Sequence, residues 1–277
     1  MDLSSPAPEP ARAATPSPAP PRAALARLRR WLAGFGTGGL LGLLVLAFWL
    51  LAALFGPALL ARPPGAGGGE VFGAISAAHW LGTDYLGRDM LARVIDGTRY
   101  TVGVALVATL LALLAASGSA ALDATLTAIP SKMFALLMVA GFGSSVPMLV
   151  FTAALIYVPG AFRIARSLAV NINAMDYVTV ARTRGEGLLS IMLREILPNI
   201  VGPMLADLGL RFVYVVLLLA SLSFLGLGIQ PPQADWGSLV RENIGALPDA
   251  GASVIAPALA IASLTIAVNL VIDNLKR

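Results

Sequence analysis

The sequence predicts an all-α fold, a polytopic membrane helix bundle of about six transmembrane helices with both termini in the cytoplasm. Of its 277 residues, 57% are hydrophobic and only 12% are charged, whereas about 25% of the residues of a soluble domain are charged. Several apolar runs reach the ~20 residues that cross the hydrocarbon core of a bilayer. The basic residues also gather in alternate segments between these runs, as the positive-inside rule requires of a multi-pass protein.

Five apolar stretches carry the six predicted spans. The third stretch is interrupted by Gly141, Gly143 and Pro147, which predicts two short helices hinged near residues 143–147. Each of the other four is close to the length of a single span. The stretches comprise residues 40–60, 101–122, 133–162, 201–222 and 254–272.

The distribution of Lys and Arg predicts the orientation of these spans. With the N-terminus inside, 13 of the 19 basic residues fall in cytoplasmic segments, Lys132 among them, and 5 fall outside. The remaining one, Arg211, lies within the fifth span. This asymmetry predicts that the N-terminus and the C-terminus are both cytoplasmic.

Composition also predicts how the chain divides. Residues 1–30 are rich in Pro and Ala and are expected to form a disordered cytoplasmic tail, because they could not bury a core. Residues 31–277 are expected to form one transmembrane domain. Two polar stretches of that domain are long enough to have structure of their own, an outer segment at 62–99 and a cytoplasmic loop at 163–199.

Several kinds of site are excluded by residue counts. The chain has no Cys, which rules out disulfides, thiolate metal sites and Cys nucleophiles, and its single His79 rules out a site of several His ligands. No Gly-rich phosphate loop of the G-x-x-x-x-G-K-[ST] type occurs, so the chain cannot hydrolyse ATP by that route. We therefore expect no catalytic residues, no metal site and no enzymatic activity.

The loop at 163–199 contains the most informative pattern. Residues 176–199 predict a helix, a turn at Gly185 and Gly187, and an amphipathic helix that Pro198 ends before span five. Such an element can present an apolar stripe and a few Arg side chains to a groove on a partner. It could equally be an ordinary amphipathic loop lying at the membrane surface, and the pattern alone leaves both interpretations open.

The same residues resemble the "EAA" loop of binding-protein-dependent ABC importer permeases. Thr179, Val180 and Ala181 stand at the place of the triplet, so that Thr179 replaces its Glu, and Gly185 follows at the family's spacing. The resemblance implies a coupling helix that sits in a groove of an ATPase subunit. Its coupling residues would be Thr179, Val180, Ala181, Arg182, Gly185, Glu186, Leu189, Leu197 and Pro198.

Two further segments are similar to the dipeptide/oligopeptide/nickel branch of that family. Residues 79–99 resemble its segment after the first span, and residues 221–236 resemble its Leu-Ser-Phe-Leu-Gly segment after the fifth. The most similar type is the "C" permease subunit of a dipeptide importer. The resemblance implies a type I ABC importer permease fold in the bacterial inner membrane and ATP-driven uptake of peptides or similar small solutes by alternating access.

The resemblance also implies the partners. They are a homologous second permease, two ATP-binding cassette ATPase subunits that bind ATP and magnesium, a periplasmic or lipid-anchored solute-binding protein, and membrane lipids. No cofactor in this chain and no nucleic acid are expected. Dipeptides, oligopeptides, glutathione-like molecules and nickel chelates all remain open as solutes. The alternative hypothesis is a channel or membrane scaffold without ATP coupling.

Three sets of polar or aromatic residues outside the loop allow further predictions. Asp207 and Arg211 lie four residues apart on one face of span five, either as a self-neutralising pair between helices or as a possible part of the translocation path. Trp236 is expected to be an interfacial anchor. The last set, expected to pair internally and fold the outer segment, is Asp84, Arg88 and Asp89.

Overall fold

The computed structural model describes residues 36–59, 67–115, 130–248 and 251–275. The residues from Thr37 onward form one compact unit. The predicted tail at 1–30 lies outside the described residues, as do the first residues of the predicted domain at 31–277. In the described part of the chain, helices are the only regular structure apart from a single antiparallel bridge between Thr83 and Asp89.

Nine α-helices follow one another along the described chain, and we number them in order. Five of them are long and apolar enough to cross a membrane, the fourth of these in continuity with the short helix and turn that precede it. The helices are α1 (Thr37–Leu59), α2 (Met90–Ala115), α3 (Ser131–Phe142), α4 (Val146–Asn173), α5 (Asp176–Thr183), α6 (Leu188–Ser190), α7 (Leu197–Phe224), α8 (Trp236–Asn243) and α9 (Ala252–Leu275).

The predicted break in the third apolar stretch is present, but the helices beside it differ in length from the prediction. The helix α3 has 12 residues, too few to cross the bilayer, so the described residues hold five helices of spanning length instead of six. The helix α4 has 28 residues, and Pro147 lies in its first turn, where a missing N–H disrupts no hydrogen bond. The proline that suggested a hinge therefore starts a long helix.

The second spanning helix begins earlier than predicted. It starts at Met90, whereas the apolar run begins at residue 101, so the predicted outer segment at 62–99 ends in helix. The charged residues of these first turns suggested a loop. Arg93 is nevertheless buried here, because the outer end of α2 is covered by other residues of the chain, which supply partners for its charge.

Lys132 lies at the outer end of the bundle, whereas the sequence predicted it at the cytoplasmic end. Lys132, assigned to the cytoplasm, borders a cavity with Ser221 and Phe224, at the end of α7 that is remote from α5 and α6. With Lys132 reassigned, the tally predicted from the sequence changes from 13 inside and 5 outside to 12 and 6. The asymmetry that orients the bundle is preserved.

Small residues allow the spanning helices to approach closely. Ala105, Ala108 and Ala112 of α2 are fully buried, as is Ala153 of α4 to within one per cent. Short side chains at helix contacts let backbones come close, which is how helices gain packing energy in lipid. The helices α4 and α7, which flank the cytoplasmic loop, thereby pack into the same core as α2.

The outer end of the bundle is closed by a buried tryptophan. Trp236 is fully buried, its indole N–H donates to the Val94 carbonyl at 2.9 Å, and its ring packs edge-on against Trp49 with centroids 4.7 Å apart. The prediction of an interfacial anchor is wrong. The helix α8 folds back onto the bundle and carries this side chain into the core.

Candidate coupling surface and its links to the membrane core

The predicted helix–turn–helix between α4 and α7 is present. The helix α4 ends at Asn173, α5 follows after two residues, and Arg184 to Gly187 form the turn into α6. The helix α5 buries Val178 and Ala181 on one face. We call residues 174–196 the coupling segment. It connects α4 to α7, and both of these helices run into the membrane core.

The chain does not break at Pro198. It continues from Leu188 to Phe224 as 37 helical residues, with a π-helical turn at Ile191–Ile196 directly before Pro198. A proline lacks the N–H that would bond one turn back, and a wider turn at this place absorbs the missing bond. The prediction that Pro198 ends the helix is therefore wrong, and the coupling segment is joined to α7 without a loop.

Gly185 forms the turn between α5 and α6. Its φ is +77°, a conformation that costs a residue with a side chain about 1–2 kcal/mol. The Gly185 N–H donates to the Arg182 carbonyl at 2.9 Å and the Glu186 N–H to the Ala181 carbonyl at 3.2 Å. This pair of bonds is the Schellman arrangement that closes the C-terminus of a helix, so Gly185 sets the angle between the two halves of the segment.

A small cluster holds the two halves of the segment together. Val178 and Ala181 of α5 pack against Ile191, and all three are buried. Ile172, at the end of α4, and Ile196, before α7, complete the cluster from either side. The segment is therefore folded onto the ends of the two flanking helices instead of hanging free.

The opposite face of the segment is apolar and uncovered. Leu188 and Leu189 are 71% and 68% exposed, although each could bury most of its surface in a core. Exposed apolar groups gathered in one place mark a surface that another molecule covers. The large apolar side chains exposed on the segment and at its junction with α7 are Met175, Tyr177, Val180, Leu188, Leu189, Met192, Leu193 and Leu197.

The predicted coupling residues divide by position. Ala181 belongs to the buried cluster, the Arg182 guanidinium donates to the Asn173 amide oxygen at 2.5 Å, and Glu186 accepts from the Ser190 hydroxyl at 3.2 Å. The others are exposed, namely Thr179, Val180, Gly185, Leu189, Leu197 and Pro198. The family pattern pointed to none of Met175, Tyr177, Leu188, Met192 and Leu193, whose amphipathic spacing was the available signal.

Asp207 and Arg211 form the intramembrane pair that was one of the two alternatives. Arg211 Nε lies 2.6 Å from Asp207 Oδ2, and Nη2 lies 3.2 Å from Oδ1. The third guanidinium nitrogen, Nη1, donates to the Tyr157 carbonyl of α4 at 3.1 Å. Both side chains are buried, so each neutralises the other where an unpaired charge would be costly.

Beside this pair lies a cavity of about 460 Å³. Asp207 contributes one of its few polar surfaces, and Ile164 of α4 faces α7 across it. The remaining lining comes from α7 and the end of α9, at Gly202, Pro203, Ala206, Leu210 and Leu275.

The outer end holds a second, larger ion network. Asp84 is fully buried between Arg88 and Arg93, each with an N···O distance of 2.7 Å. Arg93 also lies 2.8 Å from Glu242 of α8, which fastens the segment before α2 to the segment after α7. The prediction that Asp84 and Arg88 pair is confirmed, and their partners Arg93 and Glu242 were missed.

The single histidine belongs to this outer region. His79 Nδ1 lies 3.0 Å from Asp89 Oδ1, and Asp89 Oδ2 accepts from the Ala92 N–H in the first turn of α2 at 3.0 Å. Asp89 was predicted to pair within the outer segment. It joins His79 of that segment to the first turn of α2. No group of three or more His, Asp or Glu side chains that could hold a metal ion occurs among the described residues.

The chain matches a known family over more than half its length. Residues 122–277, which contain the coupling segment, match the binding-protein-dependent transport system inner membrane component. A dipeptide transport system permease protein of Haemophilus influenzae is 30% identical over 267 residues, covering 86% of this chain and 88% of its own. The corresponding protein of Escherichia coli K12 is 32% identical over 242 residues, covering 81% and 78%.

A relative with a different named solute is equally similar. A glutathione transport system permease protein of Pectobacterium atrosepticum is 33% identical over 216 residues, covering 73% of this chain and 72% of its own. The helical bundle, its spans and the family match agree with one another. The chain therefore belongs to the binding-protein-dependent transport family, as a multi-pass permease subunit of an ABC importer in the inner membrane.

Proposed function

We propose that this chain moves peptides or similar small solutes inward by alternating access, driven by ATP hydrolysis on separate ATPase subunits. Its partners would be a second, homologous permease, two ATPase subunits that bind ATP and magnesium, and a solute-binding protein on the outer side. The observation that carries the proposal is the coupling segment, which is folded on one face and uncovered and apolar on the other.

The exposed face suits an ATPase groove. Leu188 and Leu189 project from the turn, so they would enter a concave surface first, while the buried cluster of Val178, Ala181 and Ile191 keeps the segment from flattening. A helix that lays an apolar face into a groove is a recurrent means of recognition. Thr179 is exposed and stands at the Glu place of the family pattern that the loop resembles, so this contact would be made by a hydroxyl instead of a carboxylate.

The solute class rests on the relatives. Dipeptide and glutathione permeases are about equally similar to this chain, so the proposal covers di- and oligopeptides and peptide-like molecules such as glutathione. Asp207 is the proposed contact of this chain with the translocation path, because it is the charged side chain that borders the cavity between α4, α7 and α9. Arg211 would balance its charge while the cavity is empty.

ATP hydrolysis by the reconstituted assembly tests the proposal. The assembly would be purified through a tag on this chain and placed in proteoliposomes with its binding protein and with dipeptides or glutathione. We expect solute and binding protein together to stimulate hydrolysis in the wild type and in Leu247→Glu, a control at an outer, half-exposed leucine. We expect Leu189→Glu to abolish the stimulation, because a carboxylate would have to be buried in the groove.

Two outcomes would contradict the proposal. If no ATPase subunit purifies with the wild-type chain, the alternative of a channel or scaffold without ATP coupling takes its place. If Leu189→Glu is stimulated as strongly as Leu247→Glu, the exposed face is a membrane-surface element and coupling occurs elsewhere.

A further inference from the structure

The helices α4 and α7, which enter and leave the coupling segment, touch at two levels that flank a cavity, and beyond the deeper level they pack into the common core. At the cytoplasmic end they are joined by the cluster of Val178, Ala181 and Ile191, with Ile172 and Ile196 on either side. The second level lies deeper, at Arg211 and Tyr157. Between the two levels lies the cavity of about 460 Å³, so packing does not hold the helices together there.

The deeper contact has an unusual geometry for an ion pair in a membrane. Arg211 needs only two of its nitrogens to neutralise Asp207, its neighbour on the same helix. Its third nitrogen crosses to α4 and donates to the Tyr157 carbonyl at 3.1 Å. The planar guanidinium can serve both partners at once because its donors point in fixed, divergent directions.

Two features of α4 accommodate the guanidinium. A Cβ at Gly160 would lie 2.9 Å from Nη1 and 3.4 Å from Nη2 of Arg211, so a side chain at this position would displace the guanidinium from its present place. The Tyr157 hydroxyl also donates to the Tyr214 carbonyl at 3.1 Å, a second polar bond between the same two helices. Four groups on two helices therefore converge at one level.

We propose that Arg211 is a positioning residue that, with Asp207, the Tyr157 carbonyl and Gly160, clamps α4 to α7 so that both helices move as one body with the coupling segment. The inference rests on the proposed function. Asn173 lies about 20 Å along α4 from Gly160, and Ile191 about 30 Å along the helix from Arg211. Because the cavity leaves α4 and α7 unpacked below Arg211, the clamp is the first contact above the cavity that would keep the two helices from spreading apart there when the segment is pushed.

The clamp is tested first in the wild-type assembly, by the distance between spin labels on α4 and α7. The chain has no Cys, so two introduced cysteines are labelled selectively. Ser167→Cys with Leu205→Cys reports the level of the cavity, and Phe151→Cys with Leu217→Cys reports the outer half; all four positions are exposed. We expect both distance distributions to stay unchanged between the nucleotide-free assembly and the assembly trapped with ATP and vanadate.

The clamp is then removed in two ways. Arg211→Lys keeps the charge for Asp207 but lacks the fork that reaches Tyr157. Gly160→Ala displaces the guanidinium without removing any polar group. The matched control is Gly103→Ala in α2, where an added Cβ meets no atom within 4 Å. We expect the label distance at the cavity to shift on trapping in the first two variants and to stay unchanged in the control.

The functional readout is the number of solute molecules moved per ATP hydrolysed. We expect it to fall at least about fivefold in Arg211→Lys and Gly160→Ala, the lower end of a typical coupling free energy between sites, while the ATPase subunits still purify with Gly160→Ala. The proposal is overturned if the wild-type distances shift on trapping, or if both variants keep the wild-type ratio and distances. Loss of hydrolysis in the wild type would instead contradict the proposed function itself.

Discussion

The two ends of this bundle satisfy their side chains in opposite ways. At the outer end, the charges of Asp84, Arg88, Arg93 and Glu242 are buried and paired with one another, and Trp236 is fully enclosed. At the cytoplasmic end, three buried residues hold the coupling segment, and its other face is exposed and apolar. The charges of the outer end are therefore satisfied within this chain, whereas the coupling segment leaves an apolar face uncovered at the cytoplasmic end.

The largest effect should come from breaking the outer network. Asp84→Ala would leave Arg88 and Arg93 buried with only Glu242 as a partner, and removing one member of a buried ion pair costs about 3–5 kcal/mol. We expect a large drop in the thermal unfolding midpoint of the purified assembly. The matched control is Asp96→Ala, which breaks the partly exposed pair with Arg99 and should change stability by well under about 1 kcal/mol. Equal effects of the two substitutions would show that the outer end is not held by its buried charges.

A smaller effect should come from the turn of the coupling segment. Gly185→Ala forces a side chain into a backbone with φ of +77°, at a cost of about 1–2 kcal/mol. Gly187→Ala is the control, because Gly187 has an ordinary φ of −67° and open space around it. We expect Gly185→Ala alone to weaken the stimulation of ATP hydrolysis by solute and binding protein. Equal loss in both variants would mean that the turn conformation does not matter.

A pH effect is expected at Asp235 of the outer end. Burial raises the pKa of the Asp235 carboxyl, although it accepts hydrogen bonds from the Ser223 hydroxyl and the Ser238 N–H. Because the folded state then binds the proton more tightly than the unfolded state, stability falls as pH rises from the ordinary carboxyl pKa to the raised one. We expect the free energy of unfolding of the wild type, measured relative to Asp235→Asn, to fall over that interval. A difference that is flat or rises with pH would contradict this assignment.

The smallest effect on stability should come from the exposed face of the coupling segment. Leu188→Ser removes a side chain that is 71% exposed, and surface substitutions usually change stability by less than about 0.5 kcal/mol. We expect an unchanged unfolding midpoint for the chain purified without its ATPases. The amount of ATPase subunit that purifies with the variant should nevertheless fall. Destabilisation of the isolated chain would show that this face is part of its own core.

The sequence predicted the cytoplasmic end better than the outer end, and the reason is physical. The coupling segment is made by residues close together in the chain, so Gly185 and the amphipathic spacing around it were sufficient to predict helix, turn and helix. The outer network joins Arg93 to Glu242 across 149 positions, and no local pattern indicates that a distant carboxylate will meet an arginine. Trp236 was assigned to the membrane surface for the same reason, since its contacts with Val94 and Trp49 are all distant.

Prolines and charges account for the remaining differences. Pro147 and Pro198 both suggested interruptions, but one lies in the first turn of α4 and the other follows a π-helical turn, two places where a helix tolerates the missing N–H. The pairing of Asp207 with Arg211 followed from their spacing of four residues. The bond from Arg211 to the Tyr157 carbonyl could not be predicted in this way, because it joins residues 54 positions apart and depends on how α4 packs against α7.

The central claim is that an ATPase covers the cytoplasmic end of this chain and does not cover the outer end. Site-directed cross-linking tests this claim most directly. The chain has no native Cys, so a single introduced cysteine can be linked to its neighbours in the assembled complex by a short bifunctional reagent. The test position is Leu189→Cys and the outer control is Leu86→Cys. Both residues are more than half exposed. The account predicts that Leu189→Cys joins this chain to an ATPase subunit and that Leu86→Cys does not. Cross-linking of Leu189→Cys to lipid or to no protein, in a complex that still hydrolyses ATP, would contradict it.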